Sequence, residues 1–170
     1  PPVVPDGMML QHFVGLEVQT DSETFTPDTA TLMDFRVDQS RGMHFIYLLP
    51  FSETEALVES TLFTPQREPD QFYIDAIDDY LKTHLGVETY KVTRQERGAI
   101  PLGMMERHDP KIAGIGGNGG AIRPSSGYAF AFIQKQFDRA IAGASRGRLN
   151  FAKPHQCIDL WMDAVLLQVL

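Results

Sequence analysis

A single cysteine, Cys157, leaves no internal disulfide framework and no cysteine-ligated zinc site. Basic residues are the next shortage. The 15 Lys and Arg stand against 22 Asp and Glu, a formal net charge of -7, and they are scattered rather than clustered. A nucleic-acid partner selects for a positive face, so that class is excluded. No run approaches the roughly 18 apolar residues of a membrane span, and Pro1-Pro2-Val3-Val4-Pro5 does not read as a signal peptide. The histidines His12, His44, His84, His108 and His155 show no metal-ligand spacing, so no metal is expected. Internal repeats and low-complexity tracts are missing too. What remains is globular, with 43% hydrophobic and 22% charged residues, enough for a sizeable core in a soluble protein of a reducing compartment.

Residue 1 is not Met, and the helical pattern from Asp159 to Leu170 carries no capping glycine, so the expectation is a piece of a longer protein. Between these ends, four apolar, β-branched or aromatic runs come first: Gln11–Val18, Ala30–Val37, Met43–Leu49 and Glu55–Phe63. Their lengths and turn-forming connectors predict antiparallel strands, the third and fourth forming a hairpin. Alternation puts Glu55, Leu57, Glu59, Thr61 and Phe63 on one face of the fourth run and Ala56, Val58, Ser60 and Leu62 on the other. From Pro69 to Leu85 the period becomes helical, through Tyr73, Ile77, Tyr80, Leu81 and Leu85, and Gly86 is a suitable stop. Val87–Ile100 predicts another strand and Lys111–Ile115 a short buried one. A helix is expected over Ser125–Ala142, with an apolar stripe of Phe130, Ile133, Phe137 and Ile141. The order of elements is that of an α+β protein.

Gly114-Ile115-Gly116-Gly117-Asn118-Gly119 matches G-x-G-x-x-G literally, but its surroundings deny a Rossmann fingerprint. That motif needs a helix to begin at the loop, and here Ala121-Ile122-Arg123-Pro124 intervenes. No Gly-Lys-Ser/Thr follows, so it is not a Walker loop. Five glycines among the seven residues from Gly114 to Gly120 still let a flat or anionic ligand approach the backbone closely. Ser125 or Ser126 is placed to cap the helix behind Pro124, and Arg123 supplies positive charge. Cofactor loop and ordinary strand-to-helix loop both fit this pattern.

The longer stretch Gly114-Ile115-Gly116-Gly117-Asn118-Gly119-Gly120-Ala121-Ile122-Arg123-Pro124-Ser125-Ser126-Gly127-Tyr128 resembles a segment of lycopene cyclases that reads, loosely, GIGG-x-x-G-x-x-H-P-[ST]-[ST]-G-Y. Leu57-Val58-Glu59-Ser60-Thr61 is similar to the family's Phe-Leu-Glu-Glu-Thr segment in plants, or its Leu-Val-Glu-[Asp/Tyr]-Thr form in bacteria. Further matches in the same order are Gln11–Val18, Leu32–Arg36, Phe45–Ser52 and the Ala99-Ile100-Pro101-Leu102-Gly103 turn. Two departures stand out. Arg123 occupies the place of a plant His, whose role cannot be carried over, and Ser60 replaces the second Glu of the acidic motif.

The resemblance implies an antiparallel substrate sheet with a helix, and the return limb of an interrupted FAD-binding, Rossmann-type domain like that of aromatic hydroxylases. On that reading residues 1–110 form the substrate domain, 111–145 the second flavin-contacting strand, loop and helix, and 146–170 the start of a C-terminal helical region. The implied reaction is a redox-neutral cyclisation of a linear carotenoid end group, an intramolecular lyase or isomerase chemistry. It needs reduced FAD, with NAD(P)H as the reductant. Glu59 is the expected acid, because an apolar pocket raises the pKa of a carboxyl until it can donate at neutral pH. Asp34 is a second candidate, to orient Glu59 or take the final proton; pairing with Arg36 competes with that role. Leu57, Phe45, Tyr47 and Phe63 are the expected substrate contacts, the aromatic rings offering π faces to a cation. Gly116, Gly117, Asn118, Gly119, Gly120, Pro124, Ser125, Gly127 and Tyr128 are the expected flavin contacts. The alternative function is a related FAD-dependent oxidoreductase, a monooxygenase or reductase acting on a lipid. The first nucleotide fingerprint of the family is not among these residues, so the 170 residues alone are expected to be inactive and to hold no FAD tightly. The hydrocarbon substrate implies that the intact enzyme touches a membrane, and the expected location is cytoplasmic, peripheral at that membrane.

Overall fold

The computed structural model describes residues 4–103, 114–148, 151 and 153–170, with Asn118 described by its backbone alone. The chain divides into two compact units, Leu10–Ala99 and the remainder (Pro1–Met9 with Ile100–Leu170).

The first unit is a five-stranded sheet covered on one face by a helix. Its strands are β1 Leu10–Gln19, β2 Thr31–Asp34, β3 Met43–Pro50, β4 Glu55–Thr64 and β5 Lys91–Pro101, in the order β2-β3-β4-β1-β5. The β3–β4 hairpin forms as expected, and β1 and β2 add antiparallel to its two sides. Contacts between β1 and β5 climb one strand as they descend the other: Thr93 and Arg94 reach Glu17, and Gly98 lies at Phe13. That pair is therefore antiparallel as well. β2 is half its expected length. Met33 sits at φ +54, the pairing with β3 is irregular between Thr31 and Asp34, and the Asp34 carboxylate accepts the Arg36 N–H, which turns the chain out of the sheet.

Helix α1, Asp70–Leu85, ends at Gly86 in the left-handed conformation. Gly86 N–H donates to Lys82 and Val87 N–H to Leu81, a Schellman closure that drops Val87 into the core; β5 accordingly starts at Lys91, later than the sequence pattern suggests. Tyr73, Ile77, Tyr80 and Leu81 of α1 pack on the even-numbered residues of β1, β3 and β4, among them Val14, Ile46 and Val58 at 0% exposure. Each such side chain contributes about 1.5–3 kcal/mol on burial, so this face holds the unit together.

The opposite face carries a packing detail with a measurable consequence. The Phe13 ring lies over Gly98, and a Cβ added there would meet Phe13 Cζ at 2.4 Å. Gly98→Ala is expected to cost about 1–3 kcal/mol through overpacking, read as a lower urea midpoint, with Phe13→Leu in the same chain recovering most of it. An unchanged midpoint for the single variant removes the ring from this account.

The second unit holds a 3-10 turn at Gly116–Gly119 and helices α2 Phe130–Ala144 and α3 Cys157–Leu167. Of the expected strand Lys111–Ile115, residues 111–113 lie outside the described residues, and Gly114 and Ile115 are not in a strand. The expected helix at Ser125 begins five residues later, at Phe130, with Ala129 before it; neither Ser125 nor Ser126 caps it. Residues 123–128 instead close a turn, in which Arg123 N–H donates to Tyr128 O and Gly127 sits at φ +70. The expected apolar stripe of α2 also needs correcting. Gln136 and Ala140 are its buried residues, while Phe130 is 79% and Ile141 66% exposed. Gln136 is buried because its amide is claimed by the glycine loop. α3 opens on a reciprocal capping box between Gln156 and Asp159.

Candidate functional site

The face of the first unit turned away from α1 gathers Glu59 and the aromatic residues Phe45, Tyr47 and Phe63 singled out in the sequence. Strand alternation puts Leu57, Glu59, Thr61 and Phe63 of β4 on that face, and the register brings Tyr47 of β3 and Gly15 of β1 directly beside Glu59. Phe45 is fully buried and touches Phe35, Tyr47 and Phe63 edge-on, with ring centroids 5.2–5.6 Å apart. Glu59 is therefore a half-buried carboxyl on an aromatic, aliphatic surface. Burial pushes its pKa up; a hydrogen bond from Thr61 Oγ1 at 2.8 Å opposes this, and the nearby Glu96 charge adds to the rise.

Position 60 lies on the other side of the sheet. Ser60 is fully buried, and its Oγ is 2.8 Å from His44 Nε2. His44 Nδ1 is 2.9 Å from the Asp38 carbonyl, which can only accept, so Nδ1 carries the proton and Nε2 accepts from Ser60. Burial lowers the His44 pKa, in keeping with a neutral ring. The absence of a second acidic residue at position 60 therefore takes nothing from the face that carries Glu59.

Asp34, the other candidate carboxylate, is not brought to Glu59. It pairs with Ile46, which pairs with Ser60, so it belongs to the α1 face. Tyr80 Oη donates to its Oδ2 at 2.7 Å, and the Arg36 guanidinium spans both oxygens at 2.5–3.1 Å. The Arg36 fork, followed by Tyr80, holds this carboxyl far below the usual range. Asp34 ties β2 to α1 as an ion. Sequence reasoning passed over Gly15 and Glu96. An isolated glycine inside an otherwise apolar strand was the available signal, since it marks a close approach of neighbouring groups.

In the second unit the glycine loop is closed on one flank and open on the other. A Cβ on Gly119 would stand 2.3 Å from Gly114 O, whereas nothing lies within 4 Å of one on Gly117. Gly116 and Gly120 adopt φ +64 and +73, which favour glycine. Gln136 braces the loop: its Oε1 accepts from Gly116 N–H at 2.9 Å and its Nε2 donates to Phe151 O at 3.3 Å. His155 Nε2 donates to Gly120 O at 2.8 Å. Arg123 does not serve the loop as a free cation. Its guanidinium lies 2.9 Å from Asp163 Oδ1 and 3.2 Å from Asp159 Oδ1, and Ser125 Oγ donates to the same Asp163 oxygen at 2.5 Å. Pro124 and Ser125 are thus buried, while Tyr128 is 58% exposed beyond Gly127. The Asn118 side chain lies outside the described residues. Open backbone at Gly117 suits the close approach of a flat ligand, and α2 begins only at Phe130, so the loop does not lead directly into a helix.

Among the described residues no group of three or more His, Cys, Asp or Glu is placed to hold a metal ion, and no helix is long and apolar enough to cross a membrane.

The chain is similar to carotenoid enzymes along most of its length. It is 32% identical over 145 residues to a lycopene beta-cyclase of Paracoccus sp., covering 79% of this chain and 36% of that protein. A lycopene beta-cyclase of Pantoea ananas is 26% identical over 168 residues, 94% of this chain and 44% of the relative. A chloroplastic neoxanthin synthase of Solanum tuberosum is 28% identical, over 74% of this chain and 27% of the relative. The chain thus spans less than half the length of each of these relatives. A geranylgeranyl bacteriochlorophyll reductase-like protein of Thermoplasma acidophilum shares the fold, with a TM-score of 0.54 at 11% identity over 98% of this chain and 41% of that one. The family described as "Lycopene cyclase protein" matches residues 3–170, and the chain belongs to it.

Proposed function

We propose that this chain carries the acid and the second flavin-contacting loop of a carotenoid cyclase, an enzyme that closes the linear end group of lycopene or a related carotenoid without net oxidation or reduction. The observation that carries the reading is Glu59: a half-buried carboxyl, its pKa raised, on a sheet face it shares with Leu57, Phe45, Tyr47 and Phe63. A hydrocarbon substrate asks for that combination. Its double bond is a weak base, so the donor must be a protonated acid, and its cation must be shielded from water. Glu59 gives its proton to the terminal double bond. The π electrons of a neighbouring double bond then close the six-membered ring, and loss of a proton from the ring restores neutrality. Aromatic faces on the same surface stabilise the intervening cation.

The fold of the intact enzyme, on this reading, is an FAD-binding Rossmann-type domain interrupted by the substrate sheet, as in aromatic hydroxylases. The open backbone at Gly117 fits a flavin, with Gly116, Gly119 and Gly120 shaping the loop and Pro124, Ser125, Gly127 and Tyr128 its exit. When bound, reduced flavin supplies an electron-rich ring system that stabilises a nearby carbocation, and NAD(P)H keeps it reduced. Chemically this is an intramolecular lyase or isomerase at work on a substrate dissolved in a bilayer, and the reading takes the intact protein as a cytoplasmic enzyme that meets its substrate at the membrane surface.

The test is turnover by the full-length protein with FAD, NADPH and lycopene in liposomes under anaerobic conditions. A cyclic product formed with NADPH consumption far below one per ring is the expected result. Consumption in proportion to product, with an oxygenated or reduced carotenoid, identifies an FAD-dependent oxidoreductase of lipids instead.

A further inference from the structure

Adjacent residues of a strand point to opposite faces, so position 60 has no access to the neighbourhood of Glu59 whatever residue stands there. A second carboxylate does lie on the Glu59 face, and it comes from a different strand. Glu96 of β5 leans across β1 at Gly15, the direct cross-strand partner of Glu59. From the place where a Gly15 Cβ would stand, Glu96 Cγ is 3.1 Å away, Glu96 Oε1 3.4 Å and Leu57 Cδ1 3.1 Å. Gly15 is a notch between two acids. A side chain there would press on Glu96 and Leu57 and force Glu96 to shift.

We propose that Glu96, reaching over the Gly15 notch, is a positioning residue for Glu59 and supplies the second carboxylate of the site. The proposal rests on the cyclase reading for its chemical purpose, but its geometry stands in this unit alone. Other charged or titratable groups on this face are Glu17 of β1, Tyr47 of β3, Glu55 of β4 and Arg94 of β5. Arg94 is committed to Glu17 at 2.9 Å and stands 3.9 Å from Glu96 Oε2, so it moderates the Glu96 charge without cancelling it. A negative neighbour disfavours ionisation of Glu59, and the repulsion from Glu96 accordingly adds to the effect of burial. Both effects shift the equilibrium of Glu59 toward its protonated form. The proton given to the terminal double bond is balanced by the one released from the closed ring, which returns to the carboxylate pair. No electrons are gained or lost.

Two readouts on the intact enzyme test this. The first needs no turnover: a ¹³C-carboxyl NMR titration of glutamate-labelled protein, with the Glu59 signal assigned by its disappearance in Glu59→Gln. Glu96→Gln is expected to move that titration to lower pH, and Gly15→Ala, which crowds Glu96 away, to move it in the same direction. The second is the pH profile of cyclisation. Because activity follows protonated Glu59, the loss of kcat at high pH should shift downward in Glu96→Gln, with kcat at neutral pH reduced about tenfold or more and KM unchanged. Glu96→Asp should recover part of both. The Glu96 side chain is 38% exposed, so its replacement leaves the core intact. A Glu59 titration unmoved by Glu96→Gln overturns the proposal even if the wild type cyclises lycopene. A wild type that titrates as described yet makes no cyclic carotenoid sinks the cyclase reading and leaves the coupling of the two carboxyls established.

Discussion

Glu59→Gln in the full-length enzyme should abolish cyclisation, lowering kcat on the order of 10³-fold while flavin and substrate binding persist. The amide keeps the shape of the carboxyl and the acceptor for Thr61 Oγ1, which now stands at 2.8 Å from Oε1, but it has no proton to give. Glu59→Asp is the informative companion. It keeps the acid and withdraws it by one methylene from the surface made by Tyr47 and Leu57, so a partial loss is expected, with the fall-off at high pH moved toward that of an ordinary carboxyl. The measurement is product formed per flavin in a single turnover, which separates the chemical step from release of a poorly soluble product. Cyclisation by Glu59→Gln within a few fold of wild type would falsify its role as the acid.

The second large effect concerns stability. Asp163 is 1% exposed on α3 and receives Arg123 at 2.9 Å and Ser125 at 2.5 Å on a single oxygen, while its Oδ2 is buried with no partner among the described residues. Asp163→Ala should destabilise the second unit by about 3 kcal/mol, because it strands the partly buried Arg123 guanidinium and the Ser125 hydroxyl together. Asp159→Ala is the control. Its pair with Arg123 is 26% exposed on the acid side and longer, at 3.2 Å, so even with loss of the α3 capping box the cost is about 1 kcal/mol. Chemical denaturation followed by the single Trp161 on α3 reads both variants directly. Equal costs for the two would mean that α3 is held by something other than Asp163.

What could be read from the sequence, and what could not, divides along physical lines. The hairpin, α1 with its Gly86 stop, and the face of β4 that carries Glu59 are set by short-range rules of period and turn chemistry, and they were legible in advance. The missing pieces depend on pairing between distant segments. Glu96 sits in a strand with charged or polar residues on both faces, so no alternation of apolar side chains marks its parity; contacts with β1 at Phe13, Gly15 and Glu17 do. The α2 stripe misled because Phe130 and Ile141 obey helical spacing, yet the buried side is chosen by Gln136 and its bonds to Gly116 and Phe151. Ser125 resembles an N-cap by type and position, but a carboxylate 38 residues away, on Asp163, outcompetes the helix for its hydroxyl. Arg123, positive beside a candidate anion loop, is likewise neutralised from a distance.

The parity of β4 has a further consequence, for how such an enzyme drifts. Leu57, Glu59, Thr61 and Phe63 lie on the face proposed to meet the substrate, while Ala56, Val58, Ser60 and Leu62 face α1 and His44. Two sets of constraints are interleaved in one ten-residue strand, one on each face. The even residues can repack against α1 without moving Glu59 off its face, whereas Thr61 and Phe63 on the odd side are themselves buried and carry packing as well. Inserting or deleting one residue exchanges the two sets, drives Glu59 into the core and is lost to selection at once.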